Sequence, residues 1–416
     1  MNRGRARVLL LTPQLPYPPR QGTSIRNYHL LTHLAQHARV TLVTFLEDGQ
    51  PTPERTPLAS LVQAVHVHPA PRRTLGQRLR ALLTDPRPDL ALRLHSPDMH
   101  RTMAHLARDE GVDVLLVEGL EMAPYMETYV RHRTHGPRPR LIFDAHNAEY
   151  VLQRRAFETD VRRPWRWHAA GYSLIQWFKL RAYEKRIARH VDALITVSPV
   201  DRENLRRLRV STPIHVVPNG VDVSYYANYT PPPDFTLAPP PTVLFTGKMD
   251  YRPNVDAVHW FVNKVWPRVR RARPRAHFYI VGRSPHPRVQ ELGHIPGVVV
   301  TGEVEDVRPY LHAAPVYVVP LRVGGGTRLK LLEAMAARRA IVSTTLGAEG
   351  YPVEGGKHLL LADTPRAFGD AILRLLEDEG ERERLGERAL AFVRERYDWS
   401  RIAPDFVRIV LGEEGA

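Results

Sequence analysis

The chain has 416 residues, of which 43% are hydrophobic and 25% charged, the balance of a folded globular protein. This length exceeds one ordinary core and predicts two domains of roughly 200 residues each. The absence of cysteine excludes disulfide and thiolate chemistry. A net charge of +15 is compatible with nucleic acid, an anionic membrane or a phosphorylated substrate as partner. It is also compatible with a general abundance of arginine, so the local distribution of charge is more informative than the total.

Short runs of valine, isoleucine and leucine alternate with helical patterns over almost the whole chain. In the first half they predict strands at Val8–Leu11, Val40–Phe45, Ala64–Val67, Val114–Val117, Leu141–Phe143, Ala193–Val197 and Ile214–Val217. In the second half they predict strands at Thr242–Thr246, His277–Val281, Val298–Thr301, Val316–Val319, Ile341–Ser343 and His358–Leu361. Apolar strands that alternate with helices are typical of parallel sheets covered on both faces. The two series predict an α/β fold of two doubly wound domains.

A proline-rich segment separates the two series. Thr230–Pro241 has six prolines and cannot continue a helix or a sheet. We therefore predict a first domain at 1–229, a linker at 230–241 and a second domain at 242–397. A helix at 398–416 is expected to pack back on the first domain.

The segment 320–337 carries the most informative motif, because it follows a strand end, where open parallel sheets bind ligands. It combines small, capping, cationic and acidic residues: Gly324, Gly325, Gly326, Thr327, Arg328, Lys330 and Glu333. The glycines allow close backbone approach, Thr327 is placed to cap the next helix, and the helix N-terminus with two cations attracts phosphate. Glu333 shares a helical face with Lys330 and suits a ribose hydroxyl. We predict a nucleoside-diphosphate site, the alternative being a structural turn with a surface Lys–Glu pair.

Four more glycine turns end strands of the second half, at 245–254, 281–283, 301–306 and 347–350. Each is compatible with an ordinary tight turn, but their succession on neighbouring strand ends favours one common crevice. We predict donor contacts from these turns at Gly247, Lys248, Gly282, Arg283, Val304 and Glu349.

Six segments in order along the chain resemble the retaining glycosyltransferases of family 4: 15–31, 143–149, 218–222, 245–254, the motif at 320–337, and 347–350. The resemblance runs end to end and is nearest to bacterial sugar transferases of exopolysaccharide and exosortase loci. It implies a GT-B fold, two Rossmann-like domains facing each other across a cleft. It also implies transfer of a hexosyl unit, with retention, from a nucleoside-diphosphate sugar, UDP- or GDP-linked. The acceptor would be a saccharide or lipid-linked saccharide in cell-surface polysaccharide synthesis.

Roles in the first half follow from the resemblance for His146 and from position in the chain for the other residues. His146, at a strand end, would contact the transferred sugar or the attacked region, and Gly22 would place its amide against the donor diphosphate. The acceptor-side residues would be Arg26, His29, Asn147 and Glu149. Loop, surface or helix-capping roles are the alternatives for these positions.

The chain departs from the family pattern at two places. Many members have two glutamates separated by seven residues. Glu333 matches the second, but Gly325 stands at the first, so backbone amides of 324–327 would have to hold the sugar hydroxyls. Lys248 replaces an arginine of the family, and no counterpart of a second cation there is clear. The phosphate contacts therefore depend mainly on Arg328 and Lys330.

The predicted catalysis is electrostatic, with His146, Arg328 and Lys330 as the catalytic residues. The sequence has no Asp-x-Asp pair and no cluster with metal-ligand spacing. We therefore expect no metal and no cofactor beyond the nucleotide sugar. Fixed cations and helix-end amides would stabilise the charge on the leaving diphosphate.

The segment 150–190 has ten lysines and arginines against three acidic residues, with Trp165, Trp167, Trp177 and Phe178 among them. Basic residues with such aromatics are typical of helices resting on anionic lipid. The alternative is that the aromatics are core and the arginines a solvated face. The N-terminal run Val8–Leu11 reads as a buried strand and not a signal peptide. We expect a cytoplasmic protein, at the inner face of the plasma membrane if the acceptor is lipid-linked.

Other functions make different predictions. A GT-B-type epimerase would need acid and base carboxylates and no acceptor, and a phosphorylase would need a cofactor lysine, which we do not identify. A non-catalytic nucleotide-sugar sensor is compatible with the missing first glutamate. Nucleic-acid binding would require basic and aromatic residues interleaved on a sheet or a recognition helix, and these do not occur outside 150–190.

Overall fold

The computed structural model describes residues 5–19, 22–109, 111–162, 164–237, 241–324 and 326–413. The chain forms two compact units, one of Met1–Pro218 with Ile402–Ala416 and the other of Asn219–Arg401. The division falls before the predicted linker at 230–241. Residues 219–229 and the described part of the linker belong to the second unit, where the Phe235 and Tyr310 rings lie 5.0 Å apart.

The first unit has a parallel sheet of seven described strands in the order β3-β2-β1-β4-β5-β6-β7. The strands are β1 (Arg7–Thr12), β2 (Arg39–Leu46), β3 (Ala64–Pro69), β4 (Val114–Glu118), β5 (Arg140–Ala145), β6 (Ala193–Thr196) and β7 (Ile214–Val216). Because β2 and β4 pair on opposite sides of β1, the winding direction reverses between β1 and β4. Side chains at the carboxyl ends of these strands are therefore grouped at one edge.

The second unit has a parallel sheet of six described strands in the order β10-β9-β8-β11-β12-β13. The strands are β8 (Thr242–Thr246), β9 (His277–Val281), β10 (Val298–Gly302), β11 (Val316–Val319), β12 (Ala340–Ser343) and β13 (Leu360–Leu361). The winding reverses between β8 and β11, which places the 247 turn and the 320–330 segment at the usual ligand-binding edge. The predicted fold of two doubly wound domains is confirmed.

Helices connect the strands of each unit. In the first unit they are α1 (Gly22–His37), α2 (Leu58–Leu61), α3 (Leu75–Thr84), α4 (Asp89–Leu92), α5 (Pro97–Asp109), α6 (Ala123–His132), α7 (Glu149–Asp160), α8 (Trp167–His190) and α9 (Pro199–Arg206). In the second they are α10 (Val223–Ala227), α11 (Arg252–Trp260), α12 (Trp266–Ala272), α13 (Pro287–Glu291), α14 (Arg308–Ala313), α15 (Leu329–Ala336), α16 (Pro365–Glu377) and α17 (Glu379–Arg396). Short 3₁₀ turns lie at Pro53–Arg55, Pro164–Arg166, Leu292–His294 and Leu346–Ala348, and a π-helical turn at Phe261–Val265.

The last helix, α18 (Trp399–Leu411), passes from the second unit into the first. Its C-terminal half is held in the first unit, where the Arg140 guanidinium donates to the carbonyl of Ile409 at 3.2 Å.

Strand β13 is shorter than predicted, because it begins at Leu360 and not at His358. The His358 ring lies in the preceding turn, where Nδ1 accepts from the backbone N–H of Glu354 at 3.0 Å.

Candidate active site

Two glycine turns cross at the carboxyl ends of β8 and β9. Gly247 and Gly282 both have a φ of +152°, a conformation that residues with a Cβ rarely adopt. A Cβ on Gly282 would lie 1.7 Å from the carbonyl oxygen of Gly247, and one on Gly247 would lie 2.6 Å from Nζ of Lys330. Both positions therefore require glycine, and the Gly247 backbone lies directly against the Lys330 side chain.

The second residue of α15, Lys330, extends toward the Gly247 turn. Its Nζ donates to Oδ1 of Asn254 at 2.8 Å and lies 4.2 Å from the centroid of the Phe245 ring. Asn254 also donates from Nδ2 to the carbonyl of Lys248 at 2.8 Å, so its amide links the β8 turn to the helix. Burial lowers the pKa of Lys330 to about 7. An anion placed beside this amine would favour its charged form.

One turn further along α15, Glu333 lies close to Lys330. Burial raises the pKa of Glu333, and the Lys330 charge and a hydrogen bond with Tyr226 act in the opposite direction. Tyr226 comes from α10, whose N-cap, Asp222, accepts from the backbone N–H of Tyr225 at 2.9 Å. The carboxylate predicted to face a ribose thus has a tyrosine hydroxyl as partner.

The glycine-rich loop before α15 differs from the prediction at its capping residue. Arg328 occupies the N-cap position, and its Nη1 donates to the carbonyl of Gly326 at 2.8 Å. Thr327 lies one residue earlier and accepts from Nδ2 of Asn219 at 3.1 Å, so the prediction that Thr327 caps the helix is wrong. Gly324 and Gly326 have positive φ angles, whereas Gly325 lies outside the described residues.

Four other predicted donor contacts follow strand ends of the second unit. Lys248 is half exposed and pairs with Asp250 at 3.3 Å. Arg283 is partly buried after β9, and its carbonyl accepts from the backbone N–H of Met249 at 2.9 Å. Val304 is partly buried and packs on the core of the second unit after β10. Glu349 is exposed after the 346–348 turn, and its charge opposes the lowering of the Arg328 pKa that burial causes.

In the first unit, His146 is paired with a glutamate that sequence analysis missed. Nε2 of His146 lies 2.9 Å from Oε2 of Glu118, whose side chain is 2% exposed at the end of β4. Burial, with the neighbouring Asp144, raises the pKa of Glu118 to about 6. Burial alone would lower the pKa of His146, but the hydrogen bond and charge of Glu118 raise it overall. This pair can hold a proton on the ring near neutral pH.

Arg26 is in the interior of the first unit. Its side chain is 1% exposed, and Nη2 lies 2.8 Å from Oδ2 of Asp144, which is fully buried. Nη1 donates to the carbonyls of Val217 and Pro218 at 2.9 and 3.2 Å. Glu118 and Asp144 are register partners on β4 and β5, so Arg26 and His146 each compensate one of two adjacent carboxylates. Arg26 therefore stabilises this strand edge through its ion pair with Asp144, and its place on the acceptor side stays a prediction.

The other residues predicted in the first half lie near helix starts. Nδ2 of Asn147 donates to Oε1 of Glu149 at 3.2 Å. The backbone N–H groups of Glu149 and Tyr150 donate to the carboxylate of Glu184 at 2.9 and 2.8 Å, so a residue of α8 satisfies the start of α7. Gly22 is exposed at the first position of α1, and His29, one turn beyond Arg26, is partly buried with its ring 5.7 Å from that of Tyr28.

The described residues show two further features relevant to function. None of their helices is both long enough and apolar enough to cross a membrane. Nor do they contain a group of three or more His, Asp or Glu side chains placed to hold a metal ion.

Two family models match the chain. The one described as Glycosyltransferase Family 4 matches residues 20–225, and the one described as Glycosyl transferases group 1 matches residues 240–378. Phosphatidyl-myo-inositol mannosyltransferase of Mycobacterium tuberculosis is 30% identical over 203 residues, 46% of this chain and 52% of that protein. The chain spans about half the length of the curated relatives it matches.

Solved structures resemble the whole chain in fold. Sucrose-phosphate synthase from Thermosynechococcus elongatus has a TM-score of 0.69 at 19% identity, covering 97% of this chain and 98% of that one. Anabaena HepE in complex with UDP and glucose has a TM-score of 0.64 at 14% identity, also covering 97% and 98%. Each unit has the Rossmann-like architecture found in the GT-B glycosyltransferases. The two family models, which together match most of the chain, show that it belongs to glycosyltransferase family 4.

Proposed function

We propose that this protein is a retaining glycosyltransferase that moves a hexosyl unit from a UDP- or GDP-linked sugar to a saccharide or lipid-linked saccharide in cell-surface polysaccharide synthesis. Two findings support the proposal besides family membership. The mycobacterial relative is named a mannosyltransferase, and the HepE structure contains UDP and glucose. The finer points, namely the donor, retention and the polysaccharide role, rest on the sequence resemblance.

The observation that carries the proposal is the buried amine of Lys330 beside the Gly247 turn. A lysine is costly to bury without a full counter-charge, and the lowered pKa of Lys330 reflects that cost. The amine lies at the N-terminal turn of α15, where the helix dipole also favours an anion. A nucleoside diphosphate would supply the missing negative charge. Glu333 and Tyr226 would then provide acceptors and a donor for the ribose hydroxyls.

In the proposed reaction, the bond between the anomeric carbon and the diphosphate oxygen breaks as the acceptor hydroxyl forms the new glycosidic bond on the same face. The hydroxyl proton passes to the leaving diphosphate oxygen. Lys330, Arg328 and Lys248, with the first N–H groups of α15, stabilise the charge that develops there, so fixed cations take the part that a metal ion plays elsewhere.

For the first unit, we propose that His146 contacts the transferred sugar and that Glu118 is its positioning residue. The hydrogen bond that Nε2 of His146 donates to Glu118 fixes the ring orientation and places a proton on that nitrogen. The raised pKa of His146 increases the fraction of protonated ring. A protonated ring donates a stronger hydrogen bond to a sugar oxygen than a neutral ring does.

The test compares Lys330→Ala with wild type in the transfer of labelled sugar from a donor, after a thermal-shift screen of nucleoside diphosphates and their sugars has identified the base. Turnover at saturating donor should fall by about 10²–10³-fold, the usual effect of removing one preorganised donor to developing charge. Lys264→Ala is the matched control, because Lys264 is an exposed lysine of the same unit. Wild-type turnover in Lys330→Ala contradicts the assignment. An inverted anomeric configuration in the product contradicts retention.

A further inference from the structure

Helix α3 exposes a row of leucines to solvent. Leu75, Leu79 and Leu83 are 69%, 52% and 83% exposed, and their four-residue spacing places them on one face. None of the residues of this helix is buried. An ordinary surface helix turns its apolar face to the core, so this orientation is opposite to the usual one.

Polar contacts lie at both ends of α3. At its N-terminus, a capping box between Thr74 and Gln77 satisfies backbone N–H groups. At its end, Nζ of Lys179 on α8 donates to the carbonyls of Leu82 and Asp85, each at 2.6 Å. Lys179 thus attaches the C-terminal end of α3, and Arg78 in its middle pairs with Asp89 at 3.2 Å, while the leucine row faces outward.

The neighbouring helix exposes large aromatic side chains. Trp167 and Phe178 of α8 are 64% and 58% exposed, and Trp165 in the turn before it is 73% exposed. Trp177, in contrast, packs against the core of the first unit with its ring 6.4 Å from that of Phe157. Of the four aromatics noted in the segment 150–190, three are therefore exposed and one is structural.

The charge around these side chains is strongly positive. Residues 71–87 have a net charge of +4, and residues 150–190 have a net charge of +7. Within 71–87, four of the five arginines pair with Asp48, Asp85 or Asp89, so the larger part of the positive charge lies in 150–190. Arg78 and Arg80 flank the leucine row on α3, and both are exposed. Leucines and tryptophans flanked by arginines are the composition of helices that lie in the interface of an anionic bilayer.

We propose that the leucine row of α3, with the exposed aromatics of α8 and its preceding turn, docks on an anionic lipid bilayer. The leucines and aromatics enter the headgroup boundary while the arginines contact lipid phosphates. Charge complementarity favours a membrane over a second copy of this chain, because two copies would bring like charges together. The proposal does not depend on the transfer reaction, so it can fail while the proposed function holds.

The experiment is flotation of the full chain with vesicles of phosphatidylglycerol and phosphatidylcholine, or of phosphatidylcholine alone, at low and high salt. Wild type should float with the anionic vesicles at low salt and be released by salt. A variant with Leu75→Ser, Leu79→Ser and Leu83→Ser should partition at least about tenfold less. The exposed positions should leave its melting temperature unchanged. Val200→Ser, at a 60% exposed valine of α9, is the matched control and should float like wild type.

Three results overturn the proposal. If the wild-type protein does not float with anionic vesicles, the proposed lipid-docking surface on α3 and α8 does not exist. A triple leucine variant that folds and floats like wild type shows that α3 is not the docking element. If wild type is dimeric, does not float, and becomes monomeric with the three substitutions, a second copy covers this face instead.

Discussion

Binding of a nucleoside diphosphate should take up a proton, because Lys330 is only partly charged in the unliganded protein. Its buried amine, with a pKa of about 7, lies against the Gly247 turn and donates to Asn254. At pH 8 about one tenth of the protein then has Lys330 protonated. The experiment therefore varies the pH above 7. In this range the diphosphate, with a second pKa of about 6, is already mostly ionised and contributes little to the change.

The size of the effect follows from simple electrostatics. A unit negative charge about 4 Å from the amine, at an effective dielectric constant of about 20, stabilises the protonated form by about 4 kcal/mol. This corresponds to a rise of about 3 in the pKa, to about 10 in the complex. At pH 8 binding should then take up about 0.9 proton. Because the free protein must gain this proton, affinity should fall by about tenfold for each pH unit above 7.

Isothermal titration calorimetry in buffers of different ionisation enthalpy measures this uptake directly. Wild type should show heats that depend on the buffer at pH 8. Lys330→Met should bind more weakly and show no buffer dependence. Lys264→Met removes an exposed lysine of the same unit and should behave like wild type. Tight binding by wild type with neither proton uptake nor pH dependence between pH 7 and 9 would refute the reasoning, because the diphosphate would then not contact Lys330.

Two further predictions concern the first unit. Arg26→Met should lower the free energy of unfolding in urea by about 3–5 kcal/mol, because it leaves the fully buried Asp144 without its ion pair. Replacing both residues with apolar ones should recover most of that loss, and additive losses would contradict the pairing. Glu118→Gln should move the NMR titration midpoint of His146 from above 6.5 to below it, since burial then dominates. The raised His146 pKa stabilises the fold fully below pH 6.5 and loses its effect as the pH rises through the folded-state pKa, so this stabilisation should be absent from the variant. An unchanged midpoint would mean that a group other than Glu118 raises the pKa of His146.

Much of the local geometry at the proposed donor site was predictable because it depends on short segments of the chain. The spacing of Lys330 and Glu333 on one helix and the glycines at 247 and 282 follow from strand ends and helical periodicity. The cap at Thr327 was predicted wrongly, because the start of a helix depends on competing hydrogen bonds. Here the side-chain amide of Asn219, more than a hundred residues away in the chain, donates a hydrogen bond to the hydroxyl of Thr327.

The partners of the site residues were beyond sequence reasoning. Tyr226 meets Glu333, Asn254 meets Lys330 and Glu118 meets His146, and none of these pairs has a characteristic spacing. Arg26 illustrates the consequence. Its position in the chain gave no sign of its partner, whereas strand register brings Glu118 and Asp144 side by side and Arg26 pairs with Asp144 there.

The sequence by itself determined the fold class, the order of the strands along the chain and the turns that carry glycine and cation, because apolar periodicity and local backbone geometry are properties of short segments. Only the tertiary structure decided which charges are buried, which are paired and which apolar side chains face outward. Burial and pairing arise when distant segments pack together, and they set the dielectric surroundings of each group. The same lysine or leucine is therefore a solvated surface residue or a functional one depending on contacts that its own segment does not encode.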